Sequence, residues 1–255
     1  MKDEIKDNNK LEAKERIYKA AIKLFARKGY HAVGVREIAQ AANVNISMVN
    51  YYYGEKMSIL KQIIDEAFEK YRDAVATAAN YNVSIKEHVS GVIRNFIKLF
   101  RENIEISMVA FNTLPFDIPE IMEQKIKWMN GNYAIFKGFF ERLGVDLDDP
   151  VQMSVIGGFL GNATFNHFEG KYIWANASES VKQSKELKET VTETVAAKSM
   201  PKACQMSEDE FYEKYIEKLT NMYMCGVGAV TGKNLSESDF QSNQNPCRLK
   251  EDKKE

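Results

Sequence analysis

A chain of 255 residues with 44% apolar and 28% charged side chains can bury one large core or two smaller ones, and its 5 prolines and 14 glycines are too few for a turn-rich all-β protein. No run of eighteen apolar residues offers a transmembrane helix, and the opening MKDEIKDNNKLEAKER lacks the apolar centre of a secretory signal. Net charge is −1 but uneven, with 11 Lys and Arg against 7 Asp and Glu in residues 1–60 and 24 against 29 in the remaining 195, so the basic end suits an anionic partner.

Residues 1–11 are expected to be a disordered basic and polar arm. From 12 to 28, Ile17, Ala20, Ala21, Leu24 and Phe25 recur at the i, i+3, i+4, i+7, i+8 spacing of an amphipathic helix, and Gly29 after Lys28 is a stop signal. A second, short helix follows Val35, with Ile38, Ala39 and Ala42 on one side. Asn43 tolerates the left-handed backbone of a tight turn, and Val44 plugs it. Asn45 is a plausible N-cap for a third helix that runs to about Tyr53; Gly54 ends it and Lys56 opens a fourth. Two short helices joined by a tight turn and packed on a longer one make a helix-turn-helix over residues 12–56.

The third helix is too short to exist for stability alone. Val49 and one or two tyrosines can face inward, leaving Ser47, Met48, Asn50, Tyr51 and Tyr52 to present hydroxyl, amide and aromatic groups outward. Asparagine pairs with adenine edges, and Ser or Tyr hydroxyls reach phosphate oxygens. With Arg36, Asn45 and Lys56, they form the expected DNA-contacting set. A lysine at a helix N-terminus is disfavoured by the dipole unless an anion such as a phosphate sits beside it.

Gly29-Tyr30, then Val35-x-x-Ile38-Ala39-x-x-Ala42-x-Val44-Asn45, then Val49-Asn50-Tyr51-Tyr52-Tyr53-Gly54-x-Lys56 with Ile59-Leu60, resembles the DNA-binding domain of the TetR family of transcriptional regulators. The resemblance covers roughly residues 12–60. It implies that the third helix enters the major groove and that Lys56 contacts a phosphate. It also implies that helices from the fourth onward form an effector-binding and dimerisation domain whose last two long helices pair across a two-fold axis. The Asn-Tyr-Tyr-Tyr-Gly wording looks like a variant subgroup of that family. Val33 and Gly34 stand where the family often has hydroxyl residues, Asn43 where Gly is usual and Ser47 where Gly or Ala is usual. These departures bear on which DNA sequence is preferred.

The rest of the chain also reads as helices. Met57 to about Ala79 carries Ile59, Leu60, Ile63, Ile64, Ala67, Phe68 and Tyr71 as a stripe, and Ser84 with Glu87 forms a capping box for a helix through Phe100. Residues 104–113 form a further short helix. Glu120 to Leu143 follows, stopped by Gly144, and Asp148-Asp149-Pro150 opens a helix to about Tyr172. Residues 176–208, rich in Lys, Glu, Ser and Thr, are expected to be a flexible charged insertion, Asp209 to about Val230 a last helix, and 233–255 a disordered tail. The fold class is therefore all-α: an N-terminal helix-turn-helix on a larger helical effector-binding and dimerisation bundle spanning 57–232.

Met and aromatic side chains make adaptable apolar pockets, and Phe96, Phe100, Met108, Phe111, Trp128, Met129, Phe136, Phe165 and His167 are the expected effector-lining set, with Phe140 and Phe159 of the same character. Gly157, Gly158 and Gly161 allow close helix approach; with Leu219, Met222 and Tyr223 they are the expected dimer contacts. Cys204, Cys225 and Cys247 are widely spaced, so neither a zinc site nor a disulfide framework is expected, and a reducing cytoplasm is the expected compartment. No metal-ligand spacing, phosphate loop or nucleophile–base pair appears, so no enzyme, no metal and no cofactor are expected. The expected partners are double-stranded operator DNA, a small apolar or amphipathic effector and a second copy of the chain, with no membrane. The competing reading is a helical ligand- or partner-binding protein whose DNA reader has degenerated.

Overall fold

The computed structural model describes residues 2–77, 83–177, 206–232 and 235, with side chains from Glu12 onward except at 132 and 134. All regular structure among them is helical: α1 (Lys2–Lys28), α2 (Val35–Ala41), α3 (Ile46–Tyr53), α4 (Lys56–Ala76), α5 (Ile85–Phe111), α6 (Pro119–Leu143), α7 (Pro150–Asn176) and α8 (Glu208–Thr231). One expectation changes. Helix α1 starts at Lys2 rather than 12, so the expected arm is helical backbone; no Gly or Pro between Lys2 and Lys28 interrupts it. The two helices expected on either side of residue 103 are both present, run together as α5 and divided by a kink at the non-helical Asn103 (φ −133°, ψ 36°). Asn103 donates its side-chain amide to the Leu99 carbonyl, and its own carbonyl accepts from the Ser107 hydroxyl. The expected insertion at 176–208 and the tail from 233 lie almost wholly outside the described residues.

The chain forms two compact units that do not follow the expected boundary after residue 56. One comprises Met1–Asp73 with Leu99–Asn132, the other Ala74–Lys98 with Tyr133–Glu255. In the first unit α1 packs on α2 and α3, and α2 on α3. Ile17, Phe25, Ile38, Ile59, Leu60, Ile63, Ile64, Phe100 and Ile121 are completely buried there, each contributing roughly 1.5–3 kcal/mol of transfer free energy. Polar ties fix the helices around that core. Arg16 donates to the Ala42 carbonyl at 3.2 Å, Tyr18 to the Glu66 carboxylate at 2.8 Å, and the Thr113 hydroxyl to the Phe25 carbonyl at 3.3 Å. His31 meets Asp117 at 2.8 Å on the surface.

In the second unit α7 and α8 pack side by side. Ile156, Leu160, Thr164 and Phe168 of α7 are buried, as are Tyr212, Ile216, Leu219, Thr220, Tyr223, Met224 and Val227 of α8, at three- and four-residue intervals. The ends are capped as their sequences specify. Asp149 accepts from the Val151 and Gln152 amides with Pro150 beside it, Ser207 accepts from the Glu210 amide, and Gly232 closes α8 in the left-handed region. The Ser84–Glu87 capping box forms in both directions at 2.9 and 3.2 Å. Buried His88 meets Arg142 at 3.0 Å, and Arg142 also donates to the Val83 carbonyl. Cys225 is disulfide-bonded, which the cysteine spacing did not suggest; distance along the chain does not bound distance in a fold.

Candidate nucleic-acid interface

The reader is built from backbone geometry first. Gly29 (φ 76°) closes α1, its amide bonded to the Phe25 carbonyl at 2.9 Å. Asn43 (φ 52°) takes the left-handed turn between α2 and α3, and the Val44 amide returns to the Ala39 carbonyl at 3.0 Å. Asn43 is the one non-glycine residue with positive φ among those described, which matches the tolerance of Asn for this region. Gly54 (φ 71°) then ends α3.

Helix α3 has two faces. Val49 and Tyr53 are buried; the Tyr53 hydroxyl donates to the Lys14 carbonyl at 3.0 Å, its ring stacks on Tyr18 at 6.5 Å, and burial pushes its phenol up to about 12. These contacts hold α3 against α1. On the other face Asn45, Ser47 and Asn50 are exposed, Tyr51 is 72% exposed, and Met48 and Tyr52 are half-buried. The Tyr51 and Tyr52 rings meet edge-on at 5.1 Å. Asn45 occupies the N-cap position with extended backbone, but its side chain makes no capping bond, contrary to the expected cap. Its carbonyl accepts from the Met48 amide instead. Arg36 is exposed in the first turn of α2, behind Gly34, which caps that helix without a side chain.

The Lys56 ammonium has partners within the chain itself. Its ammonium donates to the Tyr30 carbonyl at 2.9 Å and the Val33 carbonyl at 2.8 Å, and lies 4.0 Å from the centre of the Tyr30 ring. Burial holds its amine below the ordinary lysine range. The start of α4 is thereby tied to the loop between α1 and α2. The sequence placed Lys56 at the right helix end; that two loop carbonyls converge there is a tertiary fact.

Residues 17–63 match the bacterial regulatory proteins of the tetR family. The matched segment spans the helix-turn-helix and the start of α4. The HTH-type transcriptional regulator YttP of Bacillus subtilis (strain 168) is 36% identical over 135 residues, 52% of this chain and 65% of that protein, so the match spans just under two thirds of the relative's length. A tetR-family regulatory protein from Rhodococcus RHA1 shares the fold at a TM-score of 0.55 and 17% identity, covering 83% of this chain and 96% of that one. The fatty acid degradation regulator FadR from Bacillus halodurans does so at 0.52 and 18%, covering 62% and 86%. The architecture is thus a helix-turn-helix followed by a larger helical part, the fold these structures share.

Beyond the matched segment, the nine expected effector residues divide between the two units. Phe100, Met108, Phe111, Trp128 and Met129 belong to the first, and Phe96, Phe136, Phe165 and His167 to the second. Phe96, Phe100 and Met108 are buried, Phe165 is half-buried, and Phe136 stacks on Phe140 at 5.6 Å. Phe111 and Trp128 are ring neighbours at 6.1 Å. Met129 is exposed, because one residue along a helix turns about 100° away from the face that Trp128 buries. His167 sits between α7 and α8 against Phe168, Phe211, Tyr212 and Tyr215, its Nε2 3.4 Å from the Tyr212 hydroxyl. Its imidazole is held down to about 4, first by burial and then by Lys171.

The expected dimer residues differ in exposure. Leu219 and Tyr223 are buried within their own chain, with the Tyr223 hydroxyl on the Ile156 carbonyl of α7. Gly157, Gly158 and Met222 are exposed, and Gly161 is half-buried. The sequence reading missed the exposed apolar residues Val151 and Val155 of α7 and Val230 of α8, with Phe159 42% exposed beside them. The available signal was that α7 is apolar on every side, more than one neighbouring helix can cover.

Proposed function

We propose that this chain is a homodimeric, effector-responsive transcriptional regulator that represses by occupying an operator and releases it when a small apolar or amphipathic molecule binds. The observation that carries this reading is the division of α3. Val49 and Tyr53 anchor the helix, while Asn45, Ser47, Asn50 and Tyr51 stand clear of the core with amides and hydroxyls outward. A surface helix with no partner would favour Lys and Glu; this face carries base-reading and phosphate-reading groups instead. In the major groove, the Asn50 amide pairs with an adenine edge, Ser47 and Tyr51 bond phosphate oxygens, and Arg36 neutralises a phosphate from α2. Lys56 acts behind them as a positioning residue, fixing the loop that carries α2.

The exposed residues Val151, Val155, Phe159, Met222 and Val230 supply apolar surface that a second copy can cover, and a dimer carries two readers for two half-sites. An effector that favours a different reader spacing by about 1–3 kcal/mol weakens operator binding on the order of 5–150-fold. The test is fluorescence anisotropy on DNA from upstream of the protein's own gene and on scrambled DNA, across a salt series. Sequence-dependent binding that falls steeply with salt supports the reading. Equal binding to both DNAs, or a salt-independent affinity, rejects it in favour of a degenerate reader.

A further inference from the structure

Within the first unit, helix α6 carries Trp128 in an aromatic cluster and, one turn earlier, Gln124, bonded to Lys61 and Asp65 of α4. The Trp128 ring stacks on Phe68 at 3.8 Å and meets Tyr71 at 5.5 Å and Phe111 at 6.1 Å; Phe111 also touches Phe68 and Tyr71. Two polar atoms in this setting are buried without a hydrogen-bond partner: the indole Nε1 of Trp128 and the side-chain Oε1 of Gln124. The Gln124 amide orientation is set by its nitrogen, which donates to the Lys61 carbonyl at 3.0 Å and to Asp65 at 2.5 Å, so Oε1 is the acceptor left over. Buried polar groups are nearly always paired, and leaving one unpaired is costly. A donor and an acceptor orphaned one helical turn apart, beside four packed rings, are complementary to one kind of group.

We propose that this cluster is a subsite for a ligand hydroxyl carried on an apolar body, an alcohol or a phenol. A hydroxyl oxygen accepts the Trp128 N–H while its hydrogen goes to Gln124 Oε1. A carboxylate accepts from the indole but has no proton for Gln124 and adds charge near Asp65; an ammonium group donates to Gln124 and has no lone pair for Trp128. The apolar body rests against Phe68, Tyr71 and Phe111. Because Phe68 and Tyr71 lie on α4, whose first residue is Lys56, occupancy acts on the helix that anchors the reader loop. This assignment rests on the effector reading above.

The probes are 4-butylphenol and its methyl ether, which keeps the oxygen acceptor and loses the donor. Calorimetry on the full chain is expected to show the phenol binding about tenfold tighter than the ether, the worth of one hydrogen bond to an otherwise unpaired buried acceptor. Gln124→Met is expected to erase that preference, and Trp128→Phe to weaken both probes. In Trp174→Phe, where Trp128 is the remaining indole, the phenol is expected to change its emission. Equal binding of phenol and ether, a preference that survives Gln124→Met, or unchanged Trp128 emission overturns the subsite and leaves it as a place for buried water only. Thermal melts of each variant separate lost binding from lost folding, and if Gln124→Met fails to fold, the phenol–ether comparison on the parent decides. Anisotropy of the DNA complex tells the two readings apart. DNA release that is indifferent to Gln124→Met sinks the subsite alone, whereas phenol binding at Trp128 without any release sinks the effector reading alone.

Discussion

Replacing Lys56 with Met separates a lysine that positions the reader from one that contacts DNA. In the structure the ammonium satisfies the Tyr30 and Val33 carbonyls at 2.9 and 2.8 Å and lies 4.0 Å from the Tyr30 ring. Charge-assisted hydrogen bonds at this degree of exposure are worth about 1–1.5 kcal/mol each, and the ring contact about 0.5 kcal/mol. Lys56→Met keeps the chain length and apolar stem, so it is expected to cost about 3 kcal/mol, a urea midpoint lower by about 1–2 M at ordinary slopes. DNA affinity falls with it, because the loop that carries α2 is no longer held. The salt dependence decides the cause. A lysine on a phosphate contributes about 0.9 to the slope of log K against log salt, and its removal flattens the slope by that amount. A positioning lysine leaves the slope unchanged and lowers affinity equally at every salt concentration. Parallel salt lines for parent and Lys56→Met, with the urea midpoint reduced, are expected. A stability loss below about 1 kcal/mol together with a slope reduced by about one unit would refute the reasoning and return Lys56 to the DNA.

Three further outcomes follow from the same coordinates. Asn50→Ala with Tyr51→Ala is expected to abolish discrimination between operator and scrambled DNA while moving the melting temperature little, since both residues are exposed; a large drop in melting temperature would make them core residues. His167 takes its proton at about 4 in the fold against 6.5 when free, so the unfolded chain is protonated first as pH falls. The stability this holds is complete above about pH 6.5 and drains away toward about pH 4, by roughly 1–2 kcal/mol after allowing for partial exposure. Buried His88, held low by burial and Arg142, works in the same direction. His167→Phe should therefore melt with a smaller drop between about pH 7.5 and pH 5 than the parent, and identical drops would count against the assignment. Val155→Glu with Met222→Glu, both at exposed positions, is expected to leave a folded monomer by sedimentation, and an unchanged dimer would place the interface elsewhere.

The reader was legible because its signals are local. Gly29, Asn43 and Gly54 announce left-handed backbone at the turns, and the structure has positive φ at each of the three. The alternation of apolar and polar residues in α3 separates Val49 and Tyr53 from Asn50 and Tyr51 before any neighbour is known. The caps at Ser84 and Asp149 are equally short-range, written within three residues of the amides they serve. Asn45 failed as a side-chain cap because the position depends on backbone angles, whereas the bond depends on a rotamer that sequence does not set.

What the sequence determined by itself was the all-helical class, the helix-turn-helix and the outward face of α3, because each rests on a periodicity or a turn within one element. Tertiary structure alone decided which carbonyls Lys56 meets, that the Tyr223 hydroxyl meets Ile156 of α7, and that Trp128 packs against Phe68, Tyr71 and Phe111 while Gln124 bonds Lys61 and Asp65. Helical spacing states that a side chain belongs to a stripe; it carries no information about which of several apolar stripes will cover it. That choice is made when helices distant in sequence meet, and it settles whether an aromatic is core, interface or the wall of a site.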